Sequence, residues 1–369
     1  MASCRSDDGD GRHKRCNLKK DADVQYTVRE RFFCANAVVR STRRPSGQSA
    51  DRGNVPTGSG RTIGVNRMKI AVVTDSSANL SAQAAADYKI TVVNDPIMFG
   101  NHVYHENIDI TTDQFYRLLK VEKDIPTISQ ISMAEMQVVF DQLQAAGYDQ
   151  VLIVGLSSGI SGWVNNLKAY APAVKGLDVR VFDSRTACAG TANMVKLAAA
   201  MALANYGIDE ILTQLTRLRA ATTTVLIVNS MRHLVKNGRI YNNSSLAGTM
   251  VLRNKPIITF NEHGKIQVLG KERTLKNAQQ AVQEQFSRFV ITGQLPVRLD
   301  IISANDEQIA ADWASELRYQ FPAVRVKTGE IGPLMGVLTG DHALGMIWSL
   351  DWKPLLTALN GANAGSDQQ

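Results

Sequence analysis

The stretch that most constrains this chain is Val151–Gly162, VLIVGLSSGISG. Its first four residues are apolar and three are β-branched, which describes a buried strand. The strand breaks at Gly155, a turn of small residues follows (Leu156, Ser157, Ser158, Gly159), and a helix is expected to open from Ser161. A strand that enters a Ser/Gly turn and leaves as a helix presents hydroxyls and unpartnered backbone N–H groups above a sheet. That is a setting for an anion or a carboxylate. The same theme occurs twice more. Lys69–Val73 leads into Thr74-Asp75-Ser76-Ser77, and Val179–Phe182 leads into Asp183-Ser184 with a helix from about Ala189 to Ala204.

Strands alternating with helices predict a mainly parallel sheet covered on both faces. Such sheets bind ligands at the carboxyl ends of their strands. Asp75/Ser76, Ser157/Ser158 and Asp183/Ser184 should therefore gather at one edge, with Thr127 of the polar break Pro126–Gln130 able to join them. After about residue 221 the texture changes. Pro256–Phe260 and Ile266–Leu269 flank Asn261-Glu262-His263-Gly264, a hairpin turn, and strand–helix units follow near Val297–Ile302, Asp306–Tyr319 and Val324–Lys327. The expectation is an α/β protein of two domains, 68–220 with the parallel sheet and 221–356 with a mixed sheet, and a ligand site between them. Residues 357–369 read as a polar tail.

Charge assigns the ends differently. Residues 1–67 carry 14 Lys/Arg and 7 Asp/Glu, which accounts for the whole formal charge of +7, so the body is neutral. A nucleic-acid role for the body thereby loses its main support. The first 67 residues have little apolar periodicity and read as a disordered basic extension, possibly not part of the functional protein, since Met68 stands directly before the first convincing strand. Cys4, Cys16 and Cys34 lie there at spacings that match no common zinc pattern, and Cys188 is alone in the body. With no disulfide framework, the cytoplasm is the expected compartment. No apolar run is long enough to span a bilayer, and no stable membrane insertion is expected. No G-x-G-x-x-G follows any strand, and the six histidines show no metal-ligand spacing, so neither cofactor nor metal is expected.

Several stretches together resemble the DegV family of bacterial fatty-acid-binding proteins: KIAVVTDSSANLS at 69–81, PTISQ at 126–130, GLSSGISG at 155–162, FDSRTACAG at 182–190, LVKNGRI at 234–240, KPII at 255–258 and GEIGP at 329–333. They run in the family's order across almost the whole body. The resemblance implies two α/β domains with a long-chain fatty acid between them, its carboxylate at the strand-end loops and its tail in an apolar tunnel. It also implies a carrier rather than an enzyme, one that presents the fatty acid to a separate fatty acid kinase. Carried over residue by residue, Thr127 and Ser158 match the family's head-group hydroxyls, Ser157 and Gly159 belong to the same loop, and Arg239 matches an arginine facing the kinase. Hydroxyls donating to a carboxylate form charge-assisted hydrogen bonds, the strong kind.

Two positions depart from the pattern. The family's histidine five residues beyond the GEIGP proline is Leu338 here, and His342 follows where glycine is usual. Leucine donates nothing, so the head group loses a partner unless His342 replaces it. The loop at 127–131 reads Thr-Ile-Ser-Gln-Ile, more apolar than the family's. Two other readings stay open. One is a binding protein for a different lipid or amphiphile. The other is a serine hydrolase, because Gly155–Gly159 fits G-x-S-x-G with Ser157 as nucleophile and Asp183 and His342 following in order.

Overall fold

The computed structural model describes residues 68–240, 254–292 and 296–366. The expected basic extension, 1–67, lies outside these residues. The first half of the chain runs β1 (Ile70–Asp75), α1 (Ala82–Asp87), β2 (Ile90–Val93), β3 (Pro96–Phe99), β4 (His102–His105), α2 (Thr112–Val121), β5 (Thr127–Ile128), α3 (Met133–Ala145), β6 (Gln150–Gly155), α4 (Trp163–Tyr170), β7 (Asp178–Asp183), α5 (Cys188–Leu203) and α6 (Ile208–Ala220). Strands β2-β1-β6-β7 form a parallel sheet in that order. Its central strands β1 and β6 are buried on both faces and read as nearly continuous apolar runs rather than alternating ones. Ala71, Val73, Val151 and Ile153 pack against α3 and α4, whereas Val72, Leu152 and Val154 pack against α5 and α6.

Polar residues set the helix starts. Thr111 and Ser132 each close a capping box, with Gln114 and Glu135 returning the hydrogen bond. Both caps satisfy N–H groups that the first turn leaves without partners.

The second half holds β8 (Thr223–Ile227), α7 (Arg232–Lys236), β9 (Lys255–Phe260), β10 (Ile266–Glu272), α8 (Leu275–Thr292), β11 (Val297–Ser303), α9 (Glu307–Gln320), β12 (Arg325–Glu330), α10 (Pro333–Thr339), β13 (Leu344–Leu350) and α11 (Trp352–Ser366). Its sheet is mixed, in the order β10-β9-β8-β13-β11-β12, with only β11 and β12 parallel. Helices α8 and α9 cover one face through Phe286, Trp313 and Leu317. The other face turns toward the parallel sheet, and a shared apolar cluster fills the space. Ile97, Phe115, Leu156 and Ile160 enter it from the first half, and Leu226, Ile258, Ile266, Leu334 and Leu338 from the second.

Three elements go beyond the sequence expectations. The hairpin β3–β4 takes β5 as a third strand out of the polar break, with Thr127 opposite Met98. Strand β13 is central to the mixed sheet, where burial on both faces removes the alternation that marks a strand. The expected polar tail is a correction: α11 continues through Ser366. Leu355, Leu356 and Leu359 recur at helical spacing and pack with Trp352 against the α5–α6 face of the first sheet. The last helix of the chain thus closes the first domain. Trp352 is 3% exposed and meets Tyr88 edge-on at 5.9 Å. Trp352→Ala is expected to cost about 3–5 kcal/mol, read as a lowered urea midpoint. A surface-tail effect below about 0.5 kcal/mol would contradict this packing.

Candidate functional site

The parallel sheet reverses its chain order between β1 and β6, where α/β sheets open a crevice. The loop after β6 stands at this point, held by two carboxylates. Asp75, ending β1, accepts the N–H of Leu156 at 2.7 Å and that of Ser77 at 2.9 Å. Asp183, ending β7, accepts the Ser158 N–H at 3.1 Å, the Ser158 hydroxyl at 2.5 Å and the Arg185 N–H at 2.9 Å. The loop is therefore fixed from both sides by charge-assisted bonds.

The tip of the β9–β10 hairpin locks down on this loop from the other domain. The Ser157 hydroxyl donates to the Gly264 carbonyl at 2.6 Å. Gly159 packs so closely that any Cβ there would run into the Gly264 backbone. This contact explains the glycine by approach distance.

Beside the lock lies a cleft of about 290 Å³, lined by Gln130, Ser158, Gly159, Arg239 and Lys265, with Ile160, Ile240 and Ile266 below. Ile160 and Ile266 belong to the interdomain apolar cluster and Ile240 packs against it, so the cleft opens directly onto that cluster. Of the residues singled out in the sequence, Ser158, Gly159 and Arg239 share this cleft. Ser157 is buried behind it. Thr127 is half-buried on β5 and does not line the cleft, but the preceding Pro126 carbonyl accepts from Asn237, two residues before Arg239. His342 lies elsewhere, its side chain half-exposed at 48% and bonded to Asp306 at 2.9 Å, with Asp341 at 3.5 Å. Leu338 is fully inside the apolar cluster.

Proton accounting sharpens this picture. A serine hydroxyl has one proton to give. Ser157 spends it on Gly264 and Ser158 spends it on Asp183. Arg239 is a donor still available there: its buried Nε has no hydrogen-bond partner among the described residues. Ser157, Asp183 and His342 do not form a nucleophile–acid–base chain, because each is bonded to a different group.

A second set of contacts clasps the GEIGP segment onto the first domain. Asn79 donates to the Glu330 carbonyl at 2.8 Å, and the Tyr116 hydroxyl donates to the Ile331 carbonyl at 2.7 Å. The Leu334 N–H donates to Glu106 at 3.3 Å. Gly332 is required by this closeness, since a Cβ would sit 2.5 Å from Glu106 Oε1 and 2.8 Å from Asn79 Oδ1. Glu106 is fully buried, and burial pushes its carboxyl up to about 8, aided by the nearby Asp75 and Glu330 charges. Asp95 is raised well above the usual carboxylate range by burial and by repulsion from Asp75 and Glu106. His233, a residue without a motif to mark it in the sequence, is half-buried between α7 and α10. Its Nδ1 lies 3.0 Å from the Val337 carbonyl, and burial lowers its pKa.

A parallel and a mixed sheet closed over one apolar cluster, with a hydroxyl-bearing loop and an arginine at the opening, define a two-domain α/β protein with a cleft between its sheets. The chain belongs to the DegV family: the family profile described as "Uncharacterised protein, DegV family" matches residues 69–351. A DegV domain-containing protein of Listeria monocytogenes is 31% identical over 282 residues, 76% of this chain and 99% of that protein. Protein DegV of Bacillus subtilis is 30% identical over 283 residues, with 76% and 99% covered. The crystal structure of Bacillus subtilis DegV, described as a fatty acid binding protein, superposes with a TM-score of 0.71 at 30% identity, covering 77% of this chain and 99% of that one. A fatty acid binding DegV family protein of Streptococcus agalactiae gives 0.70 at 28% identity, covering 77% and 99%.

The raised Glu106 carboxyl has a consequence for stability. Between its ordinary value of 4.5 and about 8, the folded chain holds a proton that the unfolded chain has lost. This contribution is complete below about pH 4.5 and is lost as pH rises through about 8, at up to about 1.4 kcal/mol per pH unit. Glu106→Gln, neutral at every pH, is expected to flatten this fall. Urea midpoints of both proteins across that window check it, and parallel curves would contradict it.

Proposed function

We propose that this protein binds a long-chain fatty acid, with the carboxylate in the cleft at Ser158, Gly159 and Arg239 and the tail in the interdomain apolar cluster. The observation that carries this reading is the continuity of the cleft with that cluster through Ile160 and Ile266. A polar mouth leading straight into apolar packing suits an amphiphile with one charged end. The relatives of solved structure described as fatty acid binding support the same ligand class. Arg239 supplies a charged donor whose Nε has no other partner among the described residues. The Ser158 hydroxyl turns from Asp183 to the ligand, while Thr127 stands on the neighbouring strand β5 outside the cleft lining. His342 takes no part, because Asp306 and Asp341 already engage it.

With Leu338 in the apolar cluster, the head group relies on the arginine and the loop rather than on an imidazole. Arg239 and the exposed Lys265 at the mouth of the cleft also suit docking of a separate fatty acid kinase, which would phosphorylate the bound carboxylate. The protein is then a carrier.

Lipid extracted from the purified full-length chain and read by mass spectrometry tests this. A long-chain fatty acid is expected in the wild type. Occupancy should fall roughly ten-fold in Arg239→Gln and Ser158→Ala, the weight of one hydrogen bond to a charged group. Ile266→Trp should also exclude the fatty acid by filling its path. A different amphiphile in the wild type, or unchanged occupancy in all three variants, would overturn the reading. A fluorophosphonate probe is expected to leave Ser157 unlabelled, since that hydroxyl is buried and has no histidine partner.

A further inference from the structure

A second cleft, of about 350 Å³, is lined by Ser184, Arg185, Thr186, Arg219, Thr224 and the other arm of the same hairpin turn, Phe260–Glu262. Two arginines and four threonines are among its lining residues. Arg219 lies over the Phe182 ring at 4.6 Å and gives one N–H to the Asp183 carbonyl at 2.8 Å. Arg185 gives one to the Glu262 carbonyl at 2.9 Å. Among the described residues, neither guanidinium has a carboxylate ion-pair partner. The nearby carboxylates are otherwise occupied: Asp183 holds Ser158, and the Glu262 side chain is 83% exposed and paired with His263 at 3.3 Å. Burial and the neighbouring Arg185 charge lower the Arg219 pKa, and the Asp183 charge opposes them.

A third donor lies at the same place. The hydroxyls of Thr186 and Thr224, 4% and 3% exposed, are 2.7 Å apart. One can donate to the other, but the acceptor's own proton then needs a further partner. Among the described residues no other group takes it. Among the described residues, two arginines without a carboxylate ion-pair partner and a buried hydroxyl proton without an acceptor line one cavity that spans both domains.

We propose that this cleft is a binding site for a phosphate-type oxyanion, held by Arg185 and Arg219 with the Thr186–Thr224 pair donating from the floor. Guanidinium groups fit phosphate oxygens in two-pronged fashion. The cavity leaves room for a group attached to the phosphate. The site is separate from the Arg239 cleft and does not depend on the lipid reading. It touches that cleft's framework, however, because Arg219 bonds the backbone of the residue whose carboxylate fixes Ser158.

Isothermal titration of the full-length chain with inorganic phosphate, pyrophosphate and AMP tests the proposal. Saturable binding of at least one is expected, roughly ten-fold weaker in Arg185→Gln and Arg219→Gln and unchanged in Arg239→Gln. Thr224→Val, which keeps the shape and removes the hydroxyl, should weaken it as well. Phosphate binding without AMP binding would identify a free anion as the ligand, and AMP binding a nucleotide. Urea midpoints near wild type in the exposed Arg185→Gln variant separate loss of binding from loss of folding. Absence of saturable binding in the wild type would overturn the proposal. So would binding abolished by Arg239→Gln but retained in the Arg185 and Arg219 variants.

Discussion

Much of this structure depends on two carboxylates at the ends of parallel strands. Asp75 and Asp183 stand on either side of β6 and share the loop that follows it, one taking the N–H of Leu156 and the other the N–H and hydroxyl of Ser158. Buried or half-buried backbone donors in a loop are costly to leave unpaired, and here negative charge satisfies them. Because the loop is fixed, Ser157 and Gly159 form a flat seat on which the Gly264 turn of the other domain can close. Release of either aspartate would loosen the seat and, with it, the register of the two domains.

The second join between the domains is built on an opposite principle. Around GEIGP the first domain offers Asn79, Tyr116 and Glu106 to the backbone of the second. Glu106 is accommodated there as an acid whose burial favours the neutral form, next to Asp95 and Asp75, which burial also raises. Repulsion from neighbouring carboxyl groups adds to burial in raising Glu106 and Asp95. The apolar cluster between the two joins is what they enclose. Its opening at Ile160 and Ile266 places a charged end and an oily end within one path.

Much of the first sheet was legible before any coordinates, because strand–turn–helix repeats have a strong local signature. The aspartates were visible as strand-end residues. What stayed hidden had weak local signals. Glu106 sits in HENIDI, which reads as a solvated turn, and it is buried only because α10 docks over it. Arg219 looks like a cation complementing the end of its helix. Only the packing of α6 behind β7 puts it over Phe182 and beside Arg185. The C-terminal residues look like a tail because small and polar types dominate, yet they continue a helix that Trp352, Leu355, Leu356 and Leu359 pack against the first sheet's α5–α6 face.

By itself the sequence determined the alternation of elements, the polar strand ends, the neutral body and the family pattern, all of which rest on spacing along the chain. Tertiary structure decided which hydroxyls still have a proton to give. It showed Ser157 and Ser158 already committed, left the Arg239 Nε without a partner among the described residues, and set His342 apart among acidic neighbours. The physical reason is that a donor's availability depends on the acceptors around it. For this site those acceptors come from residues 25 to 107 positions away in the chain.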